Sequence, residues 1–399
     1  MSIDLIQQLL SPAIQSFIYE HEHDDVKTLL LKHSSIEGLK TSLIVEQING
    51  RSKAKFKLPQ YYKTPGILYP PGLNLEQCSS EATAKVKSQH IAKGMNMLDL
   101  TGGFGVDTYY LSKQFENATY VEPDTDLLMI TRHNHHVLGA KNIEHINCTA
   151  EEFLDQDKRH YDLIFIDPSR RNANQKVYKL ADCIPDITTL QKTIFERTDS
   201  LLVKTSPLLD LHQGLKELSF VKDIIVVSVD NECKEVLFSC VKGFRDTPVI
   251  KAINIIKEER QDLFSFTFSD EQASSANLSD PLQFLYEPNA SILKAGAFKI
   301  LSERFTLSKI HTNTHLYTSQ TLMEDFPGRI FRIEAFVKPE EKMLKQYFPE
   351  GKVNITTRNY QLTVEELKKK TRLKDGGDKF LIGFNGINQK YLVVASRVK

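Results

Sequence analysis

A group of polar residues follows a continuous apolar run in the stretch "YDLIFIDPSRR" (residues 161–171). A run of β-branched and aromatic residues without polar interruption is typical of a strand covered on both faces, and such strands belong mostly to parallel sheets flanked by helices. The polar residues then lie at the carboxyl end of the strand, where ligands bind in open α/β sheets. The sequence therefore predicts a functional site that contains Asp167, Pro168, Ser169, Arg170 and Arg171.

A glycine-rich turn follows an earlier predicted strand in "MLDLTGGFGVDTYYL". Gly102, Gly103 and Gly105 permit a tight turn and let backbone N–H groups approach a ligand beside the start of a helix. The spacing is not the dinucleotide pattern GxGxxG, because Thr108 stands where the third glycine would be. Asp99, before the turn, would repel a pyrophosphate but could help bind a cationic amino-acid group, directly or through water.

The next two predicted strands also end in residues suited to a ligand. Glu122 in "YVEPD" is placed to accept hydrogen bonds from two ribose hydroxyls. Thr149, Ala150 and Glu151 in "NCTAEEF" are placed to border an adenine. These strand ends together predict a pocket for a nucleoside that carries an amino acid.

The elements that must position these residues alternate between strand and helix from Gly94 onward, which predicts parallel βαβ units. The last two predicted strands are separated only by "DNECK", which is too short for a crossover helix, so we expect them to pair antiparallel. The sequence thus predicts a seven-stranded sheet, with strands at "NMLDL", "ATYVEP", "IEHIN", "YDLIFID", "SLLVKT", "DIIVVSV" and "EVLFSCV".

Four regions are expected along the chain. Residues 1–88 are predicted to be mainly helical, with Ser11 and Pro12 starting one helix and Ser79 or Ser80 capping another. Residues 89–246 carry the alternating pattern. Residues 247–325 are predicted to form a small α+β, ferredoxin-like region, in which the polar stretch 269–280 is interpreted as a loop or linker. Residues 326–399 are predicted to be a small α+β domain of their own.

Composition limits the class of protein. The chain is 41% hydrophobic and 26% charged, which is ordinary for a soluble globular protein. No stretch approaches the roughly 20 apolar residues of a membrane span, and the first ten residues do not resemble a signal peptide, so we expect a cytoplasmic protein with no membrane partner. The five cysteines form no CxxC pair, and His133 and His136 have no obvious third ligand nearby, so no metal site is predicted. No signal indicates an oligomeric state.

Positive charge is concentrated at the carboxyl end. Residues 326–399 contain 16 Lys or Arg against 8 Asp or Glu, a surplus of +8 in a chain whose formal net charge is zero. Such asymmetry suggests a module that binds a polyanion. Lys369 and Arg372, in "KKKTRLKDGGDK", are candidates to contact RNA phosphates. The alternative is that these cations only complement a helix dipole and keep the domain soluble.

"LDLTGGFG" and "VEPD" resemble the first two motifs of class I S-adenosylmethionine-dependent methyltransferases, with Thr101 in place of the first glycine of Asp-x-Gly-x-Gly-x-Gly. Over most of the chain, "LPQYYKTPGILYPPGLNLEQCSSEATA", "DPSRR", "VKTSPLLDL" and "NECKEVLF" resemble a bacterial group of methyltransferases with a carboxyl-terminal THUMP-like domain. The resemblance implies an α/β fold with a Rossmann-like seven-stranded methyltransferase sheet, an N-terminal helical region and a small α+β THUMP-like domain. It also implies tRNA or rRNA as the partner. S-adenosylmethionine is the implied cofactor, contacted by Asp99, Thr101, Gly102, Gly103, Gly105, Glu122, Thr149 and Ala150.

"DPSRR" resembles the Asp/Asn/Ser-Pro-Pro-aromatic motif of methyltransferases that act on exocyclic amines of bases. The resemblance implies that Asp167 and the following carbonyl accept hydrogen bonds from the target amino group. Ser169 and Arg170 depart from that motif. A guanidinium can stack on a base or clamp a phosphate, so Arg170 and Arg171 are expected to contact substrate, or else to form surface ion pairs. Lys204 is expected to line the acceptor pocket.

Direct transfer of the methyl group to nitrogen or oxygen is favoured, because neither "DPSRR" nor "VKTSPLLD" contains a nucleophilic cysteine. The main hypothesis is therefore a methyltransferase acting at a base nitrogen of tRNA or rRNA. Two alternatives stay open: a methyltransferase with a protein or small-molecule acceptor, and a non-catalytic RNA-binding protein with a relict cofactor pocket. A nicotinamide oxidoreductase is disfavoured by the glycine spacing and by Asp99.

Overall fold

The computed structural model describes residues 3–170, 179–257 and 260–399. The chain forms two compact units. The first contains Met1–Ile224 and Lys234–Asp246, and the second contains Ile225–Cys233 and Thr247–Lys399. No helix in the described residues is long and apolar enough to cross a membrane.

The amino-terminal part of the first unit is helical, as predicted. Pro12 begins a helix after Ser11, and the Ser80 hydroxyl accepts a hydrogen bond from the Thr83 N–H, so Ser80 rather than Ser79 is the cap. The elements are α1 (Ile3–Leu9), α2 (Pro12–Glu20), α3 (Val26–Lys32), β1 (Ser35–Ile36), β2 (Leu39–Lys40), α4 (Thr41–Lys57), α5 (Pro59–Lys63), α6 (Gly72–Gln77) and α7 (Glu81–Gln89).

These helices share a core with the rest of the first unit. The Tyr61 ring is fully buried, with its centroid 5.6 Å from that of Phe104 and 6.1 Å from that of Tyr109. Ile44, Ile48 and Leu68 of the amino-terminal region belong to the same apolar cluster. Residues 1–88 therefore do not fold around a core of their own.

Alternating strands and helices follow, as the hydrophobic runs predict. The strands of this part are β3 (Gly94–Asp99), β4 (Phe115–Val121), β5 (Ile143–Ile146), β6 (Leu163–Ile166), β7 (Ser169–Arg170), β8 (Cys183–Ile184), β9 (Ser200–Thr205), β10 (Val221–Val229) and β11 (Glu232–Val241). The helices between them are α8 (Val106–Leu111), α9 (Thr125–Val137), α10 (Ala150–Gln156), α11 (Ile187–Ile194) and α12 (Leu211–Glu217), with 3-10 turns at Ser112–Gln114 and Leu180–Asp182.

The central sheet of the first unit runs in the order β11-β9-β6-β3-β4-β5. Neighbouring strands from β9 to β5 are parallel, and β11 pairs antiparallel with β9. The antiparallel pair expected from the short "DNECK" connection is β10 with β11, and that orientation stays a prediction. The chain leaves β3 toward β4 on one side and returns to β6 on the other, so the strand order reverses between β3 and β6. The carboxyl ends of β3 and β6 border this switch point, which is where ligands bind in such sheets.

The predicted count of seven strands is not confirmed. Strand β10 is divided between the units, with residues 221–224 in the first and 225–229 in the second. In the second unit the last part of β10 neighbours β12 (Val249–Ile256), which pairs antiparallel with β13 (Arg260–Phe266). The last part of β10 therefore belongs to a sheet with β12 and β13 inside the second unit.

The second unit contains another sheet of seven strands, in the order β15-β16-β14-β17-β20-β19-β18. Its β17 pairs with β14, so the strands after residue 326 share one sheet with strands of residues 247–325, and the predicted boundary at 326 stays a prediction. Its remaining elements are α13 (Phe268–Ala273), β14 (Phe284–Pro288), α14 (Ala290–Ala295), α15 (Lys299–Arg304), β15 (Ser308–His311), β16 (Thr314–Ser319), β17 (Gly328–Phe336), α16 (Glu341–Leu344), β18 (Asn354–Arg358), α17 (Val364–Thr371), β19 (Lys379–Asn385) and β20 (Lys390–Arg397).

One predicted loop in this unit is partly helical. The Thr267 hydroxyl accepts a hydrogen bond from the Asp270 N–H, and the Asp270 carboxylate accepts one from the Thr267 N–H. This reciprocal cap starts α13 at Phe268, so the helix covers the first residues of the polar stretch 269–280, which the sequence predicts to be a loop or linker.

Candidate active site

The glycine turn follows β3 at the switch point of the sheet. Gly103 and Gly105 have φ angles of 55° and 71°, a backbone region that side-chain-bearing residues rarely adopt. The Gly102 N–H donates to the Val121 carbonyl (2.8 Å), and the Gly105 N–H donates to the Gly102 carbonyl (2.9 Å). The turn is therefore fastened to the neighbouring strand β4 and closed on itself.

Side chains below the turn require glycine at two of its positions. A Cβ on Gly102 would lie 2.1 Å from the Tyr120 ring, and a Cβ on Gly105 would lie 2.4 Å from Thr131 Cγ2. A Cβ on Gly103 would meet no atom closer than 3.9 Å. The turn is thus packed tightly on its lower side and open at Gly103, which suits the close approach of a ligand.

One buried and one half-buried histidine support the turn. His135 Nε2 lies 2.9 Å from the Gly105 carbonyl, and His135 Nδ1 lies 2.9 Å from His145 Nε2. Burial lowers the pKa of His135 to about 3 and that of His145 to about 4, with the Arg132 cation adding to the effect on His145. Both rings are neutral near pH 7, so His145 donates to His135 and His135 donates to Gly105. Sequence analysis considered only His133 and His136 of this helix.

Glu122, immediately after β4, is directed at the turn. Its Oε2 accepts a hydrogen bond from the Gly103 N–H and its Oε1 accepts one from the Asp124 N–H, both at 2.9 Å. Burial raises the pKa of this carboxyl, and the two N–H donors oppose that effect. A carboxylate has about four acceptor positions, so two remain on Glu122 for further donors, such as hydroxyl groups.

Asp99 has no exposed surface. Its Oδ1 accepts a hydrogen bond from the Thr101 N–H (3.0 Å) and its Oδ2 accepts one from the Thr108 hydroxyl (2.6 Å). Burial raises the pKa of Asp99 to about 7, and Asp107 and Asp167 add to the increase. The predicted direct contact with a cationic ligand therefore has no exposed oxygen to make it, and Asp99 instead anchors the turn to α8.

Asp167 and Pro168 follow β6 and are partly exposed. The Asp167 N–H donates to the Thr101 hydroxyl at 2.6 Å, which joins the glycine turn to the "DPSRR" segment. Thr101, in the position of the first glycine of the methyltransferase motif, thus has a role that glycine could not fill. Asp167 Oδ2 accepts a short hydrogen bond from Lys204 Nζ, at the carboxyl end of β9.

The rest of "DPSRR" is described only in part. Ser169 lies in β7, which pairs with β8, and its hydroxyl donates to the Ile184 carbonyl at 3.3 Å. Arg170 is the last residue of β7. The Arg170 side chain and the whole of Arg171 lie outside the described residues. The substrate contacts predicted for them therefore lie outside the described residues too.

Thr149 and Ala150 follow β5 as predicted, but with a local structural role as well. The Thr149 hydroxyl accepts from the Glu152 N–H (3.2 Å), and Glu152 Oε2 accepts from the Thr149 N–H (2.9 Å). This reciprocal cap starts α10 at Ala150. Thr205, after Lys204, donates its hydroxyl proton to the Val236 carbonyl at 3.1 Å, so it serves the β9–β11 pair.

Four residues near Asp167 were missed by sequence analysis: Ser79, Lys87, Asp107 and Glu235. All four are buried. Lys87 Nζ forms ion pairs with Asp107 Oδ1 (3.2 Å) and with Glu235, and Lys204 Nζ lies 3.9 Å from Asp107 Oδ2. A lysine in a helix is usually solvated, so the sequence contained no signal for this cluster.

The remaining predicted contact residues lie in the second unit. Lys369 is exposed in α17, and Arg372 follows that helix with a left-handed φ of 57° and its Nε 3.3 Å from Glu341 Oε2. The neighbouring Lys368 is paired with both Glu365 (3.0 Å) and Asp375 (2.7 Å). Among the described residues, no group of three or more His, Cys, Asp or Glu could hold a metal ion.

A cavity of about 660 Å³ opens at the opposite edge of the sheet, where β3, β4 and β5 begin; Asn96, Asn117 and Ile143 line it. The turn, Glu122 and Asp167 do not border it. We assign the site to the carboxyl edge because that is where the convergent polar groups lie.

Comparison with known proteins identifies the family. A solved structure from Porphyromonas gingivalis W83, classed as a methyltransferase, is 32% identical and superposes with a TM-score of 0.86, covering 98% of this chain and 99% of that one. Residues 284–327 match a family described as a ferredoxin-like domain, and residues 328–397 match the THUMP domain-like family. The chain belongs to the family of methyltransferases with a THUMP-like domain. The resemblance inferred from the sequence motifs is confirmed.

Two weaker matches extend the comparison. An uncharacterized RNA methyltransferase of Mycoplasma mobile is 27% identical over 138 residues, so the match spans 34% of this chain and only 38% of that protein. The structure of M. capricolum TrmK with S-adenosylhomocysteine is 14% identical, with a TM-score of 0.33 over 41% of this chain and 68% of that one. A likeness of that degree supports no conclusion about this member of the THUMP-like methyltransferase family.

Proposed function

We propose that the protein transfers a methyl group from S-adenosylmethionine to a base nitrogen of tRNA or rRNA, without a covalent enzyme intermediate. The observation that carries the proposal is the position of Asp167. Its N–H is bonded to Thr101 of the glycine turn, while Glu122 is bonded to Gly103 of the same turn. A group that orients an acceptor and a group that binds a ribose are thus fastened to one loop at the switch point.

The glycine turn and Glu122 fit the nucleoside part of this cofactor. The two unused acceptor positions of the Glu122 carboxylate suit the two ribose hydroxyls, and its backbone donors hold it in one orientation. The open side of Gly103 gives room for close approach. Thr149 and Ala150, at the neighbouring strand end, are the proposed border of the adenine. Asp99 contributes by holding the turn, and its oxygens are both used for that purpose.

Asp167 is proposed to orient the acceptor nitrogen. When bound, S-adenosylmethionine supplies a methyl group already activated by its positive sulfur. Asp167 Oδ2 is held by Lys204, which leaves Oδ1 and the Pro168 carbonyl to accept hydrogen bonds from an amino group. These bonds would direct the nitrogen lone pair toward the methyl group of the bound cofactor, and the proton that the nitrogen loses would leave to water. Positioning is the main contribution of such a site. Ser169 is proposed only to shape the segment, because its hydroxyl is bonded to Ile184.

RNA as the acceptor is supported by three observations. The surplus of positive charge after residue 326 is +8, the same segment matches the THUMP domain-like family, and the Mycoplasma mobile relative is named as an RNA methyltransferase. Lys369 and Arg372 are proposed to contact phosphates. The side chains of Arg170 and Arg171 are also proposed to contact substrate, and this proposal rests on the sequence alone.

The test is isothermal titration of the protein with S-adenosylmethionine, with S-adenosylhomocysteine and, as a control ligand, with NAD. We expect both adenosyl ligands to bind and Glu122→Ala to weaken them at least tenfold, because two hydroxyl contacts are lost. Glu116→Ala, an exposed glutamate of the same strand, is the matched control and should leave affinity unchanged. Binding of NAD alone would reject the proposed cofactor.

The acceptor is tested separately with labelled S-adenosylmethionine and RNA from cells that lack the protein. We expect label in RNA, and we expect Asp167→Ala to abolish it while cofactor affinity is retained. Label in protein or in small molecules would replace RNA as the acceptor. Cofactor binding without transfer to any acceptor would favour the relict pocket.

A further inference from the structure

A row of five charged side chains of alternating sign runs through the first unit to the candidate site. In order, they are Glu235, Lys87, Asp107, Lys204 and Asp167. They come from β11, α7, α8, β9 and the segment after β6. The first four are buried, with exposures between 0 and 9%, whereas the Asp167 side chain is 35% exposed. The row thus ends in the site with a single accessible carboxylate.

Lys87 is the central anchor of this row. Its ammonium donates hydrogen bonds to Ser79 (3.1 Å) and to Glu235, and it lies 3.2 Å from Asp107 Oδ1. The Ser79 hydroxyl in turn donates to Asp107 Oδ2 at 2.6 Å. An ammonium group has three N–H donors, so each has a neighbour of suitable chemistry. Asp107 is therefore held from two sides and cannot move without uncovering a buried charge.

Lys204 connects the buried row to Asp167. Burial alone would lower the pKa of Lys204, but the carboxylates of Asp167, Asp107 and Glu235 outweigh burial and raise it well above its ordinary value. Lys204 is therefore a cation at any working pH and cannot take the proton that the acceptor nitrogen releases. Its contact with Asp167 Oδ2 instead fixes which carboxylate oxygen faces the cleft.

Stability does not explain this arrangement. Burying charges costs free energy, and well-packed apolar side chains of similar volume are often as stabilising or more so than a buried ion pair. Removing one partner, however, leaves an uncompensated charge and is strongly unfavourable. Such a row is rigid at a cost in stability, which suits a site whose activity depends on orientation.

We propose that Lys204 is the positioning residue of Asp167 and that Lys87, through Asp107, holds Lys204 in place. The proposal rests on the proposed function of Asp167 as the group that orients the acceptor nitrogen. It assigns a part in transfer to Lys87, a residue of the amino-terminal helices. Neither lysine is expected to contact the cofactor.

The test compares Lys204→Met and Lys204→Arg with the wild type in steady-state kinetics. Misplacement of a reacting group by about 1 Å can cost about 100-fold, so Lys204→Met is expected to lower kcat by about that factor. Lys204→Arg, which keeps the charge but has a wider head group, is expected to lose about tenfold. The affinity for S-adenosylmethionine should change less than about threefold in both. Equal loss of kcat and cofactor affinity, or an unchanged kcat in both variants, would overturn the proposal.

A double-mutant cycle distinguishes positioning from an independent effect. If Lys204 acts only through Asp167, Lys204→Met in the Asp167→Asn background should lower the remaining kcat by less than about threefold. Losses that multiply would show that Lys204 acts on its own. Lys87→Met should reproduce the kinetic pattern of Lys204→Met to a smaller degree. Lys309→Met, which removes a buried lysine from the second unit, is the control for the general effect of such a loss.

Crystal structures give a readout that needs no activity. We expect the Asp167 carboxylate in one orientation in the wild type and in several orientations in Lys204→Met. Should Lys204→Met not fold, the comparison is made with Lys204→Arg, in which the carboxylate should shift. An Asp167 orientation that is the same in the variant and the wild type would refute the positioning role. Ordered positioning in a protein that transfers no methyl group would instead refute the proposed function alone.

Discussion

At the scale of single residues, the site contains an acid whose environment opposes its charge. Asp99 is fully buried, its two hydrogen-bond donors favour the charged form, and burial still raises its pKa to about 7. The ordinary value is about 3.9. Between these two values the folded protein binds more protons than the unfolded chain, so the contribution of Asp99 to stability falls as pH rises from about 4 to 7.

We therefore expect Asp99→Asn to change the pH dependence of stability. The substitution removes the titrating group and leaves the side-chain oxygen that accepts from Thr101. The stability of the variant relative to the wild type should increase between pH 5 and pH 8, on the order of 2 kcal/mol. Urea unfolding at both pH values measures it. The comparison uses the difference between the two proteins because His135 and His145, whose pKa values are lowered, contribute with the opposite sign in the same range. If the unfolding free energies of the variant and the wild type change with pH in parallel, the pKa of Asp99 is not raised in the folded protein.

At the scale of elements, local patterns predicted the strands and helices but not the partners of their side chains. The apolar runs located the strands of the central sheet, and the glycine turn and Glu122 predicted a site at its carboxyl edge. Thr101 was interpreted as a departure from a motif, whereas it bonds the Asp167 N–H. Lys87 and Glu235 are 148 positions apart in sequence, and their contact depends on how α7 packs against β11, which no local pattern contains.

The amino-terminal helices illustrate the same limit, and their packing can be tested at Tyr61. The Tyr61 ring is fully buried against Phe104, so Tyr61→Ala is expected to cost about 3–5 kcal/mol of stability. The Tyr61 hydroxyl has no hydrogen-bond partner among the described residues, so Tyr61→Phe should preserve or raise stability. Phe56→Ala, at an aromatic that is 83% exposed in the preceding helix, is the matched control and should cost less than about 1 kcal/mol. Urea denaturation measures all three, and equal costs for Tyr61→Ala and Phe56→Ala would mean that these helices do not share the core.

At the scale of the whole molecule, the division of the chain followed from features that the sequence shows only in part. The surplus of +8 after residue 326 marked the carboxyl-terminal segment as distinct. Its strands nevertheless complete a sheet begun by β14, β15 and β16, because the pairing of β14 with β17 joins the two segments. Register between strands 40 or more positions apart depends on packing over the entire unit. The change in charge at residue 326 therefore does not coincide with the edge of a sheet, and the four-region division stays a prediction.

The charge asymmetry leads to a prediction about RNA that uses two adjacent lysines of α17. Lys369 is exposed, whereas Lys368 is already paired with Glu365 and Asp375. A cation that neutralises an RNA phosphate releases bound counterions, so its loss weakens binding and lowers the salt dependence of affinity, by about 0.7 in the logarithmic slope for a single strand. We expect Lys369→Ala to show both effects when its binding to labelled tRNA is measured between 50 and 300 mM KCl. Lys368→Ala should show neither to the same degree, and both variants should bind S-adenosylmethionine as the wild type does. If Lys369→Ala leaves the salt slope unchanged, α17 does not belong to the RNA-binding surface. Lys369 is the better placed of the two lysines to contact a phosphate, because Lys368 is already paired with Glu365 and Asp375.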